Sequence, residues 1–176
     1  MKIIELHSVQ RLTMNCIGEP GKRVFYIQAR KDSQKVTLLC EKFQVQQLAA
    51  GIAQFIQEIE RKFPDLQPAS ADYYVPNMLL EMPLESLFRV GQLGLGYDER
   101  NDLALLVAQA VSDEEETTPE PDTVSEVRFW ATRSQLLAMG SYGIYVAAQG
   151  RPICGNCLQP IDSEGHFCPN RNGYKH

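Results

Sequence analysis

Val36-Thr37-Leu38-Leu39-Cys40-Glu41 runs directly into Lys42-Phe43-Gln44-Val45-Gln46-Gln47-Leu48, and the hydrophobic period changes at that junction. Val36, Leu38 and Cys40 stand two apart, as on a strand with one buried face. Val45, Leu48, Ile52, Phe55, Ile56 and Ile59 then fall at helical spacing, with Gln46, Gln54, Gln57 and Glu58 on the other face. The pattern predicts a helix over 42–62, which Pro64 stops because a proline cannot continue it. The same sequence of events recurs. Val127 to Ala131 reads as a strand, Thr132 as an N-cap, and 135–149 as a helix through Leu136, Leu137, Met139, Ile144 and Val146. Gln44 and Gln135 hold matching places in the two stretches. Gly140 and Gly143 each weaken the second helix by about 1 kcal/mol relative to alanine.

Each stretch is preceded by two more strands. Ahead of the first, 6–17 alternates as one strand, Gly18-Glu19-Pro20-Gly21 makes a turn, and Val24-Phe25-Tyr26-Ile27 is the next strand, ended by the polar turn 31–34. Ahead of the second, 87–97 and 102–111 form a hairpin around Asp98-Glu99-Arg100-Asn101. Both arms are apolar on nearly every residue, which predicts strands covered on both faces in the middle of a sheet. Residues 65–83 read as a connecting loop with a short turn of helix near 77–81. The expectation is an α+β fold: two strand-strand-strand-helix units forming an antiparallel sheet system covered by helices. The body spans 1–149, and 150–176 form a small C-terminal zinc-binding knuckle.

The formal charge of −5 is concentrated. Asp113, Glu114, Glu115, Glu116, Glu120 and Asp122 crowd one stretch, leaving the remainder close to neutral. That stretch predicts a mobile acidic loop over 113–123. A near-neutral body offers no broad basic face for nucleic acid. No run of eighteen apolar residues is present, so no membrane span is expected. The first residues lack the apolar core of a signal peptide, which points to the cytoplasm, where clustered cysteines bind metal rather than pair.

The chemically distinctive residues lie at the end. Cys154 and Cys157 have the spacing of a zinc knuckle, with Gly155 inside the turn. His166 and Cys168 are one residue apart and share a face of an extended chain. Cys154, Cys157, His166 and Cys168 together make a closed tetrahedral site, and closed zinc sites are structural. His176 is an alternative fourth ligand, but a terminal residue is poorly held. The tail has few large apolar groups and needs such a staple to offset its chain entropy. A redox role for Cys154 and Cys157 would need a strand before and a helix after, and Pro160 follows instead.

Other candidates read more simply. Gly91, Gly94 and Gly96 are out of order for a nucleotide fingerprint and suit a strand approached closely by another backbone. Glu41-Lys42, Arg128 and Arg133 are candidates for binding an anion, but read more simply as solvated charges beside helix starts. Tyr73 and Tyr74 pack a loop or meet a ligand, and Cys16 and Cys40 are small buried hydrophobes.

Two stretches carry a resemblance. Gly18-Glu19-Pro20-Gly21-Lys22-Arg23-Val24-Phe25-Tyr26-Ile27-Gln28-Ala29-Arg30, together with Gly150-Arg151-Pro152-Ile153-Cys154-Gly155-Asn156-Cys157, Pro160, Gly165-His166-Phe167-Cys168-Pro169 and Asn172-Gly173-Tyr174, resembles a bacterial family classed only as a domain of unknown function. The likeness covers essentially the whole chain, and the tail is its specific part. It implies a cytoplasmic protein with no assigned activity and no established catalytic residues.

Three functional readings follow. The first is a non-enzymatic binding or adaptor module whose structural zinc presents Arg151, Arg171, Asn172, Tyr174 and Lys175 to an unknown protein partner. The second is a small enzyme for a phosphorylated or anionic metabolite, using Arg23, Arg30, Arg128 or His7 in a cleft. The third is nucleic-acid binding through the zinc tail, which the near-neutral body disfavours.

Overall fold

The computed structural model describes residues 2–112 and 122–170. Seven strands and three helices follow in the order β1 (Lys2–Leu6), β2 (Arg11–Ile17), β3 (Val24–Lys31), β4 (Gln34–Cys40), α1 (Lys42–Lys62), α2 (Val75–Met78), β5 (Val90–Asp98), β6 (Leu103–Ala110), β7 (Val124–Ala131) and α3 (Arg133–Ala148). The fold is mixed α+β, and the strand-strand-strand-helix order appears twice, as β2-β3-β4-α1 and β5-β6-β7-α3. β2, β3 and β4 form one antiparallel sheet; β1, β7, β6 and β5 form the other in that spatial order. The pairs are antiparallel except β1–β7, which is parallel.

The strand expected over 6–17 is two strands. The chain leaves β1, takes a left-handed conformation at Ser8 (φ 53), and enters β2 in the other sheet. Val9 N–H donates to the Trp130 carbonyl of β7 and Gln10 N–H to the Arg30 carbonyl of β3, so this crossing stitches the sheets together. A second seam lies opposite. Leu39 N–H of β4 donates to the Phe88 carbonyl, and Leu87 N–H to the Thr37 carbonyl, just before β5 begins.

The matched glutamines bind these seams. Each sits third in its helix. Gln44 Oε1 accepts from Glu41 N–H and its Nε2 donates to the Val90 carbonyl; Gln135 Oε1 accepts from Thr132 N–H and its Nε2 donates to the Val9 carbonyl. One side chain thus caps a helix and ties it to a strand entry, in both units alike. The Thr132 hydroxyl accepts from Gln135 N–H as an N-cap should, so α3 starts at Arg133, two residues before its expected first turn.

The core is continuous between sheets and helices. Met14, Ile27, Leu38, Ile52, Leu106, Val127, Phe129, Leu136 and Met139 are fully enclosed in it. Two expectations about β5 and β6 need correction. β5 is an edge strand, buried only at Val90, exposed at Gly91, Gln92 and Gly94 and half-buried over the rest. β6 is interior, but Ala104, Leu106 and Ala108 are buried while Leu103, Leu105 and Val107 on its other face are half-buried. Apolar side chains there satisfy strand packing on one face and leave the second half-open, which periodicity cannot distinguish from two-sided burial.

The loop after α1 lies on the outer face of the three-stranded sheet. Glu81 is gripped by Arg11 and Arg30, each at 2.6 Å. Gln28 exchanges two hydrogen bonds with the Glu81 backbone, and Thr13 and Asn15 donate to the Met78 carbonyl. These bonds explain why Thr13, Gln28 and Thr37 are buried polar residues. The loop's one helical turn is Val75–Met78, slightly ahead of the expected 77–81. The acidic segment expected to be mobile lies, over 113–121, outside the described residues.

Candidate metal centre

The last described segment is short on regular structure and long on turn bonds. Ile153 and Pro160 form a single antiparallel bridge. Cys154 N–H donates to the Gln159 carbonyl, and Leu158 N–H to the Cys154 carbonyl, which curls 154–158 into a knuckle. Leu158 (φ 59) and Gly165 (φ 85) take left-handed backbone at the two ends of the connection to His166. A glycine adopts that conformation without strain, as at 165.

These turns bring the four expected ligands together. One ligand atom from each of Cys154, Cys157, His166 and Cys168 lies within 4.8 Å of all the others. Cys154 Sγ and Cys168 Sγ are 3.8 Å apart, and Cys157 Sγ is 3.2 Å from His166 Nε2. Two sulfurs at tetrahedral zinc, each about 2.3 Å from the ion, stand about 3.8 Å apart, so the donor set fits such an ion. The backbone N–H groups of Cys157 and Asn156 point at Cys154 and bring its thiol down to about 6. A thiol so placed is ready to give the thiolate that a metal needs. Cys154 and Cys168 are buried, Cys157 and His166 half-buried. The segment before Cys154 is an isolated bridge and no helix follows Cys157 among the described residues, unlike the strand and helix a redox motif would need.

The remaining candidates are dispersed. Arg30 is committed to Glu81 on the outer face of the three-stranded sheet. Arg128 pairs with Glu126, itself bonded to Gln109, on the four-stranded sheet. His7 is exposed and stacks on Trp130 with ring centres 5.9 Å apart, far in the topology from Arg23. Gly91 meets the β6 backbone so closely that a Cβ would stand 2.9 Å from Val111 Cα, which is the close approach the glycines foretold. Tyr73 packs edge-on against Tyr142, pinning the loop to α3. Arg151 pairs with Asp162 at 2.7 Å. Arg171, Asn172, Tyr174, Lys175 and His176 lie outside the described residues.

Arg23 and Arg151 do meet, across a cleft of about 560 Å³ between body and tail. Lys42 and Arg89 line it as well. Sequence reading set Glu41-Lys42 aside as solvated charge and did not single out Arg89. The four cations come from four separate elements, and no local pattern links them.

The architecture and site define a mixed α+β protein with a compact Cys3His cluster able to hold a metal ion. A family model described as "Protein of unknown function (DUF3090)" matches residues 4–168, and the chain belongs to that family. The match reaches from β1 to Cys168, the last residue of the cluster, so body and cluster fall within one family unit. No curated protein and no solved structure matches the chain. No helix of the described residues is long and apolar enough to cross a membrane.

Proposed function

We propose that this protein is a cytoplasmic, non-enzymatic binding module in which a structural zinc ion holds the 150–176 tail against the 1–149 body. The observation that supports it is the closed donor set: three sulfurs and one imidazole nitrogen within 4.8 Å complete a tetrahedron and leave no coordination position for substrate. Zinc is the ion that three thiolates and a histidine suit best. The tail then serves as a fixed surface, presenting Arg151, Arg171, Asn172 and Tyr174 to a protein partner. Metal analysis of the purified chain tests this, with one zinc per chain expected. Cobalt substitution should give a tetrahedral thiolate spectrum that added azide leaves unchanged. A spectrum that responds to azide would show an open position and overturn the structural role. Cys157→Ser should release the tail to protease while the body survives; a tail that stays resistant sinks the staple.

A further inference from the structure

The two strand–helix units correspond residue by residue. Phe25 faces Cys40 across β3 and β4, as Ala104 faces Ala131 across β6 and β7. In that register Arg23, just before β3, is the counterpart of Asp102, just before β6. Lys42, first in α1, is the counterpart of Arg133, first in α3. In the second unit the pair is complementary. Arg133 donates to both Asp102 oxygens, at 2.6 and 3.0 Å, and lies 3.4 Å from Glu60.

In the first unit both members are cations. Arg23 Nη2 and Lys42 Nζ each lie 2.8 Å from the place a Cβ on Gly150 would take, so the two charges sit within about two hydrogen-bond lengths of one another. Neither has a carboxylate partner among the described residues. Like charges that close repel unless an anion stands between them. Arg23 is nonetheless held in place, donating to the Val146 and Ala147 carbonyls at the end of α3 and resting over the Phe25 ring. The chain therefore spends bonds to keep a cation where its own second unit keeps an acid.

Arg89 and Arg151 face the same cleft. Their partners, Glu41 and Asp162, are well exposed, and exposed pairs of this kind are worth only about 0–1 kcal/mol. An incoming anion can compete for both arginines. Four cations against the single lining carboxylate of Glu41, on a body that is otherwise close to neutral, is a local excess of positive charge. The N-terminus of α1 opens here, with Glu41 as its N-cap and no acidic residue in its first turn. Val24, Ile153 and Pro160 add an apolar wall.

We propose that this cleft binds the phosphate group of a small phosphorylated molecule. Arg23 and Lys42 seat the phosphate, Arg89 and Arg151 close on its free oxygens, and the organic part rests on Val24, Ile153 and Pro160. A doubly charged group matches the charge excess better than one carboxylate, and guanidinium forks suit its oxygens. The cleft's volume is that of a small-ligand pocket. The inference rests on Arg23, Lys42 and Arg89 of the body and on Arg151, Ile153 and Pro160 of the tail. It takes from the reading above only that the tail is held against the body, and phosphate binding by a chain that recruits no protein partner leaves it standing.

The test uses the full-length, metal-loaded chain titrated calorimetrically with inorganic phosphate, pyrophosphate and glycerol phosphate. Saturable binding is expected, with affinity at least tenfold weaker in Arg89→Ala, an exposed position that leaves the core intact, and lost in Lys42→Glu. Lys62→Glu makes the same charge change at the far end of α1 and should bind as the parent does. Absence of saturable binding by any of the three probes overturns the proposal. So does equal weakening by Lys42→Glu and Lys62→Glu, which would mark diffuse attraction rather than a site. Binding of a single-stranded oligonucleotide that needs Lys42 and that pyrophosphate fails to displace would overturn it in favour of nucleic acid.

Discussion

α1 and α3 follow equivalent strands, carry equivalent glutamines and lie against each other, yet they are buried differently. α1 hides Val45, Leu48, Ile52, Ile56 and Ile59 on one face and gives Gln46, Gln47, Gln54 and Gln57 to water. α3 is apolar around most of its circumference, packed on α1 on one side and on β2 on another. Its glycines are part of that packing. The same order of elements therefore does not impose the same environment. α3 is the more enclosed because α1, β2 and the loop pinned by Tyr73 pack on it, while Ile144 and Tyr145 stay exposed on its remaining side.

Substitutions sharpen the contrast. The largest effect is expected at Gly143. A Cβ there would meet Met14 Cε at 2.6 Å, and beyond that flexible tip it would crowd Val45 Cγ1 at 3.2 Å and Met14 Cβ at 3.3 Å, both in the buried core. Gly143→Val should cost about 1–3 kcal/mol in urea unfolding. A variant as stable as the parent would show α3 to be less tightly enclosed.

Next comes the anchoring of α3 by Arg133. The bond from Arg133 holds the Asp102 carboxyl below its usual range. A depressed carboxylate contributes stability that is present above its unfolded value and lost as pH falls through the folded one. Asp102→Asn should therefore cost about 1–2 kcal/mol at neutral pH, allowing for its partial exposure, and the gap to the parent should close in acid. A gap independent of pH would assign the loss to packing instead.

The smallest effect has the opposite sign. Gly51 on α1 has nothing within 4 Å of the place a Cβ would occupy. Gly51→Ala should raise stability by roughly 0.5–1 kcal/mol through helix propensity alone. A loss on thermal unfolding would mean that the outer face of α1 is covered after all.

Much of this was legible in the chain. The bounds of α1 follow from a period of 3.6 set against glutamines, and the Asp98–Asn101 turn and the Thr132 cap follow from local chemistry. The four residues of the Cys3His cluster could be named because knuckle spacing is local too. The split between β1 and β2 could not, since 6–17 alternates correctly on both sides of Ser8 and only the partners at Trp130 and Arg30 decide where each piece pairs. Nor could the exposure of β5, whose apolar residues say strand but not edge.

The sequence by itself determined the repeated strand–helix order, the amphipathic face of α1 and the Cys3His set, because each rests on residues a few positions apart. Only the tertiary structure decided which strand faces which, that α3 is more enclosed than α1, and that Arg23, Lys42, Arg89 and Arg151 share one cleft. Those outcomes depend on residues far apart in the numbering, such as Asn15 and Tyr142, which are bonded across 127 positions. Their pairing is settled by burial and hydrogen-bond satisfaction across the whole fold, which no local window contains.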